Sequence, residues 1–265
     1  MWKKIIIITI LLVPSISQAS LGDGLVGFWP LDARDNAWTG TASTSEDRSG
    51  NGNKVLFVSM LKTAQAKAQR NTGMNLNGIS NIMRVAHNAN YSFGTGDFTI
   101  SYWVKRNELT GQGSGYDNIW AVTKWVSGTD ANNEWYTGFG TTTNTNQPAF
   151  GIRASTGSQY VVWGPTNTVI NTWYHYTAVR EGQYMSIYMD GTQVVSLSMM
   201  PAGTSVNAPA TPNNLHFGYA TGSSLFTAAT FDDVRIYNRA LSSSEIRELY
   251  KNGLSYNYWG KLKHI

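Results

Sequence analysis

The most regular stretch of the chain lies near its C-terminal end. In Phe231–Tyr237 (FDDVRIY) the residues alternate. Asp232, Val234 and Ile236 fall on one face and Phe231, Asp233, Arg235 and Tyr237 on the other, as in a strand with one side in a core. The pattern then turns helical. Ser242 is placed to cap the helix, Glu245 follows at capping-box spacing, and Leu241 and Ile246 occupy the two hydrophobic-staple positions. Gly253 is the expected stop, where a left-handed residue is wanted. Upstream, Asp97–Lys105 (DFTISYWVK) alternates again: Phe98, Ile100, Tyr102 and Val104 face one way, Thr99, Ser101 and Trp103 the other. Tyr184–Asp190 and Thr192–Ser198 read as a hairpin turning on Asp190-Gly191, with Met185, Ile187 and Met189 inward.

Further strands are expected at Leu25–Leu31, Lys54–Ser59, Gly73–Asn77, Asn81–Ala86, Ile119–Trp125, Glu134–Phe139, Ala149–Arg153, Gln159–Trp163, Thr172–Arg180 and Leu215–Gly218. Long polar loops separate several of them, at Asn107–Asp117, Val126–Asn133, Gly140–Gln147 and Met199–Asn213. Leu61–Arg70 has helix-forming composition with little apolar face and reads as a short surface insertion. No internal repeat is visible.

Composition narrows the class. Charged side chains make up 14% of the residues, while Gly, Ser, Thr, Asn and aromatics are plentiful, which suits an all-β protein with polar loops. The chain has no cysteine, which removes disulfides, thiol catalysis and lipid attachment through cysteine. A β domain of this length buries enough core without covalent staples. Residues 1–19 read as a secretion signal: Lys3 and Lys4, then apolar Ile5–Val13, then Ser17-Gln18-Ala19 as the cleavage site. The apolar run is well short of the roughly 20 residues that span a bilayer. The expected location is therefore secreted, periplasmic or cell-surface, with no membrane span after cleavage. Removing Lys3 and Lys4 leaves two fewer than the 20 basic residues of the whole chain against 16 acids, a net charge near +2. With no Lys/Arg cluster to track a phosphate backbone, a nucleic-acid partner is not expected.

Several motifs occur in a fixed order: Trp29-Pro30-Leu31-Asp32, Asp47-Arg48-Ser49-Gly50-Asn51-Gly52-Asn53, the Asp97–Lys105 strand, Trp173 with His175 and Val179, Tyr188 with Asp190-Gly191, and the closing DDVRIYNRALS run. In that order they resemble the laminin-G-like, concanavalin A-like lectin/glucanase jelly-roll family. The resemblance implies an all-β fold, a two-sheet antiparallel β-sandwich with a short C-terminal α-helix. It would form one domain over residues 20–253, followed by an extension, 254–265, that either straps the sandwich or binds a partner. In related folds an Asp at the start of the last strand binds a structural calcium ion with the opening loop. Carried over, that implies Ca2+ at Asp232 with Asp47, Asn51, Asn53 and Asp32. The alternative for these residues is a hydrogen-bonded Asp–Asn cluster. Asp233 is expected to pair with Arg235 or a neighbour.

Catalysis has little support in the residues. A glycosidase needs two carboxylates bracketing one bond, yet none of the 16 acids stands two residues from another. Asp130 and Glu134 straddle a loop, and no G-x-S-x-G or H-x-x-x-H motif occurs. A lyase would gather His175 with Tyr174, Tyr176, Arg153 and Gln159, but the resemblance implies a structural histidine beside Trp173. Binding fits better. The chain has 10 Trp and 14 Tyr, and Trp120, Trp125, Trp135 and Trp163 fall on strand ends bordering polar loops. Sugar rings stack apolar C–H faces on aromatics while polar side chains fix their hydroxyls. The expected ligand-binding set is Trp125, Trp135, Trp163, Tyr160, Asn132 and Arg153, whereas Trp29, Trp103 and Trp173 are expected in the core. The resulting expectation is a non-catalytic recognition module for carbohydrate or a cell-surface glycoconjugate. The alternatives are a structural or adhesive protein with a protein partner, or a polysaccharide hydrolase or lyase.

Overall fold

The computed structural model describes residues 20–39, 43–107, 118–126, 133–140, 146–165, 168–222 and 226–254. In chain order its strands are β1 (Leu25–Trp29), β2 (Asn36–Ala37), β3 (Thr44–Ser45), β4 (Val55–Val58), β5 (Gln65–Lys67) and β6 (Thr72–Asn77). Then come β7 (Ile82–Val85), β8 (Phe98–Arg106), β9 (Asn118–Lys124), β10 (Trp135–Gly140), β11 (Pro148–Arg153) and β12 (Gln159–Trp163). The last are β13 (Trp173–Glu181), β14 (Tyr184–Met189), β15 (Thr192–Ser198), β16 (Leu215–Phe217) and β17 (Ala228–Tyr237), followed by the helix α1 (Ser243–Leu254). They build two antiparallel sheets. Sheet A runs β15-β14-β13-β8-β17-β6-β5 with β1 also on β17, and sheet B runs β12-β11-β10-β9-β16-β7-β4-β3-β2.

The inner faces of both sheets make one core. Phe98, Ile100, Tyr102 and Val104 enter it from β8, and Met185, Ile187 and Met189 from β14, the sets expected from alternation. Facing them from sheet B are Val55, Phe57, Met83, Val85, Trp135, Phe139, Phe150, Ile152, Leu215 and Phe217. Each such side chain contributes about 1.5–3 kcal/mol by leaving water. The tyrosines among them bring polar tips, which are satisfied across the gap: Tyr102 Oη donates to Thr137 Oγ1 (3.1 Å) and Tyr176 Oη to the Ala149 carbonyl (2.6 Å).

The β14–β15 hairpin turns on Asp190 (φ 52°) and Gly191 (φ 74°), the left-handed pair that a two-residue turn requires. The capping box also forms: Glu245 Oε2 accepts the Ser242 N–H (2.8 Å), and Ser242 Oγ accepts the Glu245 N–H (3.3 Å). Leu241 and Ile246 pack beside Val179, Tyr188, Tyr237 and Leu249, fixing α1 to the outer face of sheet A.

Three local expectations are corrected. Leu61–Arg70 forms a single 3₁₀ turn, Lys62–Ala64, followed by β5, an edge strand on β6. Its backbone finds a sheet edge to pair with, and that outweighs weak helix propensity. Gly253 does not stop α1, which continues to Leu254; a Cβ at this position would collide with the Trp103 indole. Glycine is there for close approach rather than for a left-handed turn. Finally, Asp232 does not share a face with Val234 and Ile236. Phe231, Val234 and Ile236 all enter the core, because a bulge interrupts the β17–β8 register between Asp232 and Arg235, with Asp233 at φ 50°. The bulge lies where β17 exchanges one neighbour for another: β6 pairs with residues up to Phe231, and β1 from Val234 onward.

Candidate functional site

The outer face of sheet B carries an aromatic cluster. Strand register places Trp120, Gly138, Ala149 and Trp163 side by side across β9, β10, β11 and β12. The next row on the same face holds Tyr136, Gly151 and Val161. Adjacent strands lie about 4.8 Å apart, so the Trp120 and Trp163 positions stand about 14 Å apart with small residues between them. Gly151 has a specific reason to be glycine, since a Cβ there would run into the Tyr136 ring. That ring meets Trp120 edge-on at 5.1 Å and Trp125 at 4.8 Å, while the two indoles lie nearly parallel at 6.4 Å. Edge-to-face packing of this kind holds aromatic planes in fixed orientation. Trp120, Trp125, Tyr136, Ala149 and Ala220 are buried in this cluster, and Val161 and Trp163 are half-buried at its margin. Trp120 Nε1 is buried without a hydrogen-bond partner. Burial pushes the Tyr136 hydroxyl pKa upward, and a side-chain hydrogen bond with Gln159 opposes the shift.

Alternation decides which expected ligand residues reach this face. Trp125 and Trp163 are in the cluster. Arg153 pairs with Gln159 one step further along the β11–β12 register, on the face shared by Gly151 and Val161. Trp135 and Tyr160 have the opposite parity. Trp135 is fully buried in the inter-sheet core with its Nε1–H on the Tyr91 carbonyl (3.0 Å), and Tyr160 packs against the same core. Neither can stack a ligand. Asn132 lies outside the described residues, as do Asp130, the signal segment and the extension beyond Leu254. Tyr136 and Gly151 were not expected at the site. Their visible signal is the set of small residues Gly138, Ala149 and Gly151 at the outward positions of neighbouring strands.

The catalytic candidates are sealed. Glu134 forms an ion pair with Lys124 (2.7 Å), both side chains without solvent exposure, and accepts from Ser92 Oγ (2.8 Å). Burial pushes Glu134 up and Lys124 down, and their mutual attraction opposes both shifts. His175 sits on the outer face of sheet A with Nε2 3.0 Å from Ser101 Oγ, its ring 5.1 Å from that of Trp103. Burial lowers its pKa to about 3, so it is a neutral packing residue. Trp103 lies beneath Gly253 and Tyr250 of α1 rather than between the sheets, and Trp173 is half-buried at the edge of the same face.

Most of the residues considered for calcium are taken up by hydrogen-bond donors, while Asp232 Oδ1 is buried without one. A calcium site needs several oxygens free to converge on one point. Asp47 instead accepts four N–H groups: from Phe28 and Ser49 backbone on one oxygen, and from Asn53 backbone and side chain on the other. Asn53 Oδ1 accepts from Asn88, and the Asn51 amide donates to the Val26 carbonyl. Asp232 and Asp32 serve a different loop. Asp232 accepts the Arg70 N–H (2.8 Å), while Asp32 accepts from Thr72 N (3.2 Å) and Asn71 Nδ2 (3.0 Å), so the pair clamps the β5–β6 turn. Asp233 pairs with Arg70 (3.3 Å) and Arg235 (3.5 Å). Among the described residues no group of three His, Asp or Glu is arranged to hold a metal ion.

Among the described residues no helix is long and apolar enough to cross a membrane. No curated protein matches the chain in sequence. Similar solved structures include the binding domain of Paraclostridial Mosquitocidal Protein 1 (18% identity, TM-score 0.63, 88% of this chain and 53% of that one). Another is the botulinum neurotoxin serotype G binding domain (16% identity, TM-score 0.62, 84% and 51%). A third is domain 4 of AbnA, a GH43 extracellular arabinanase from Geobacillus stearothermophilus, in complex with arabinotriose (16% identity, TM-score 0.58, 85% and 98%). The chain thus spans about half the length of the two toxin domains and nearly all of the arabinanase domain. At these identities the likeness is one of fold. In sequence, residues 80–247 match the laminin-G family model described as the concanavalin A-like lectin/glucanases superfamily, and the chain belongs to that family.

Proposed function

We propose that this protein is an exported, non-catalytic binding module that recognises carbohydrate at the aromatic cluster on the outer face of sheet B. The observation that carries the reading is the row Trp120–Gly138–Ala149–Trp163, with aromatic positions at its ends and small residues between them. Half-buried Trp163 offers the stacking surface. Gln159 and Arg153 at the next register step supply polar groups to fix orientation. The neighbours of known structure are mostly binding domains, one of them solved with an oligosaccharide, which supports a binding role. The sealed Glu134 and the neutral, buried His175 supply no acid–base pair, which supports a non-catalytic one.

The test is a screen of the chain from Ser20 to Ile265 against neutral oligosaccharides, arabinotriose included, followed by titration of the best ligand into Trp163→Ala. A Kd at least about tenfold weaker in a variant that melts normally is expected, equivalent to about 1.4 kcal/mol. A folded protein silent toward every neutral glycan, or an unchanged Kd in the variant, contradicts the proposal.

A further inference from the structure

A second cleft, on the outer face of sheet A, has a different chemistry. It has a volume of about 550 Å³ and lies between the β5–β6 turn, Lys67–Asn71, and the cross-strand pair Lys105 and Trp173. α1 covers this face only as far as Gly253 over Trp103, and the Lys105–Trp173 pair is the next outward step along β8 and β13. The cleft therefore opens just past the end of the helix. Its lining contains Lys67, Arg70 and Lys105, the side-chain amides of Gln69 and Asn71, and the half-buried Trp173, with no carboxylate among the described residues.

We propose that this cleft is a saccharide site selective for sugars that carry a negative charge. Independently of the cluster on sheet B, three features of the cleft itself support this. First, its positive charge is not neutralised internally. Arg70 is paired with Asp233, but neither Lys67 nor Lys105 has an ion-pair partner among the described residues. The neighbouring crevice shows the contrast: there Arg34, Arg48 and Arg235 each meet Asp35 or Asp233. Second, a cation and an aromatic stand together. Lys105 Nζ lies over the Trp173 ring, 5.6 Å from its centroid, so a carboxylate or sulfate held by the ammonium brings its sugar ring to the border of the indole. Third, the opposite wall is held rigid. Buried Asp232 and Asp32 hold the backbone N–H groups of Arg70 and Thr72 and the Asn71 amide, and Asn71 is in the left-handed region at φ 49°. A wall set in advance spares a ligand the cost of ordering it.

The experiment titrates the chain from Ser20 to Ile265 with oligogalacturonate, sialyllactose and a sulfated heparin tetrasaccharide. Each is paired with its uncharged counterpart: methyl-esterified oligogalacturonate, lactose and the desulfated, carboxyl-reduced tetrasaccharide. At least one acidic ligand is expected to bind, its counterpart at least about tenfold more weakly, and the Kd is expected to weaken as salt is raised from low to moderate ionic strength. Lys105→Gln and Trp173→Ala should each weaken that binding about tenfold, and Trp163→Ala should leave it unchanged. Should Trp173→Ala fail to fold, Lys105→Gln and the exposed Lys67→Gln decide the matter. Silence toward all three acidic ligands overturns the proposal, as does equal binding of the uncharged counterparts or an unchanged Kd in Lys105→Gln. Loss of acidic binding in Trp163→Ala would place the ligand on sheet B and overturn it too.

Discussion

The outer faces of the two sheets use the same residue types for opposite ends. On sheet A, Trp103, His175 and Tyr250 form a stacked set closed from above by α1, with Gly253 against the indole. On sheet B, Trp120, Trp125, Tyr136 and Trp163 form a cluster of similar make-up, in which Trp163 stays half-buried at the margin. Where the chain supplies its own cover, the aromatics and the histidine become packing residues and the imidazole is held neutral. Where a row of Gly and Ala separates two tryptophans, one indole, Trp163, stays half-buried at the margin of the cluster. The functional potential of a tryptophan in this fold therefore depends on what covers its strand, and not on its presence.

The largest effect is expected from breaking the cover. Gly253→Val forces a side chain into Trp103 and should destabilise the protein by about 3 kcal/mol in denaturant unfolding, with carbohydrate binding on sheet B retained by the folded fraction. His175→Ala should cost about 2 kcal/mol at neutral pH through lost packing on Trp103 and the orphaned Ser101 hydroxyl.

The same variant carries a pH signature. The folded pKa of His175 is about 3, and that of an unfolded histidine is about 6.5. Between those values the unfolded chain binds a proton that the folded chain refuses. Its contribution to stability is full above about pH 6.5 and is lost as pH falls toward 3, by up to about 1.4 kcal/mol per pH unit. His175→Ala should flatten that part of the curve. Subtracting the variant from the parent also cancels Asp232, whose pKa burial and the neighbouring Asp233 push up to about 9 and whose slope runs the other way.

Next in size is Glu245→Ala, which removes the capping box and the ion pair with Arg239 (2.6 Å) and should cost about 1 kcal/mol. The smallest effect is expected from calcium. With Asp47 saturated by N–H donors, a chelator should leave the melting temperature unchanged. A clear drop in melting temperature would show that the opening loop rearranges around a cation.

Much of sheet A was legible in the sequence because only one face of β8 and β14 is apolar, so a two-residue period points to the core. The helix was legible because its capping box and staple are local. Other features were hidden for identifiable reasons. The bulge at Asp232–Asp233 answers to a change of neighbouring strand, a long-range fact that alternation within β17 cannot express. In β10 all six residues are buried, so nothing in WYTGFG tells the inward Trp135 from the outward Tyr136. Of the expected ligand residues, Trp135 was misplaced by that parity, and Tyr160 on β12 also faces the inter-sheet core. The Asp47–Asn53 loop misleads for a related reason. Residues rich in oxygen suit a cation, but a tight turn also exposes backbone N–H groups, and here those groups occupy the carboxylate.

The most direct measurement is a calorimetric titration of the best neutral oligosaccharide into the parent protein, Trp163→Ala and His175→Ala, with a melting curve for each. Binding should weaken at least about tenfold in Trp163→Ala with its melting temperature nearly kept, and should be unchanged in His175→Ala despite its lower melting temperature. Binding that survives Trp163→Ala intact, or that disappears with His175→Ala in a folded protein, would contradict the assignment of recognition to sheet B and packing to sheet A.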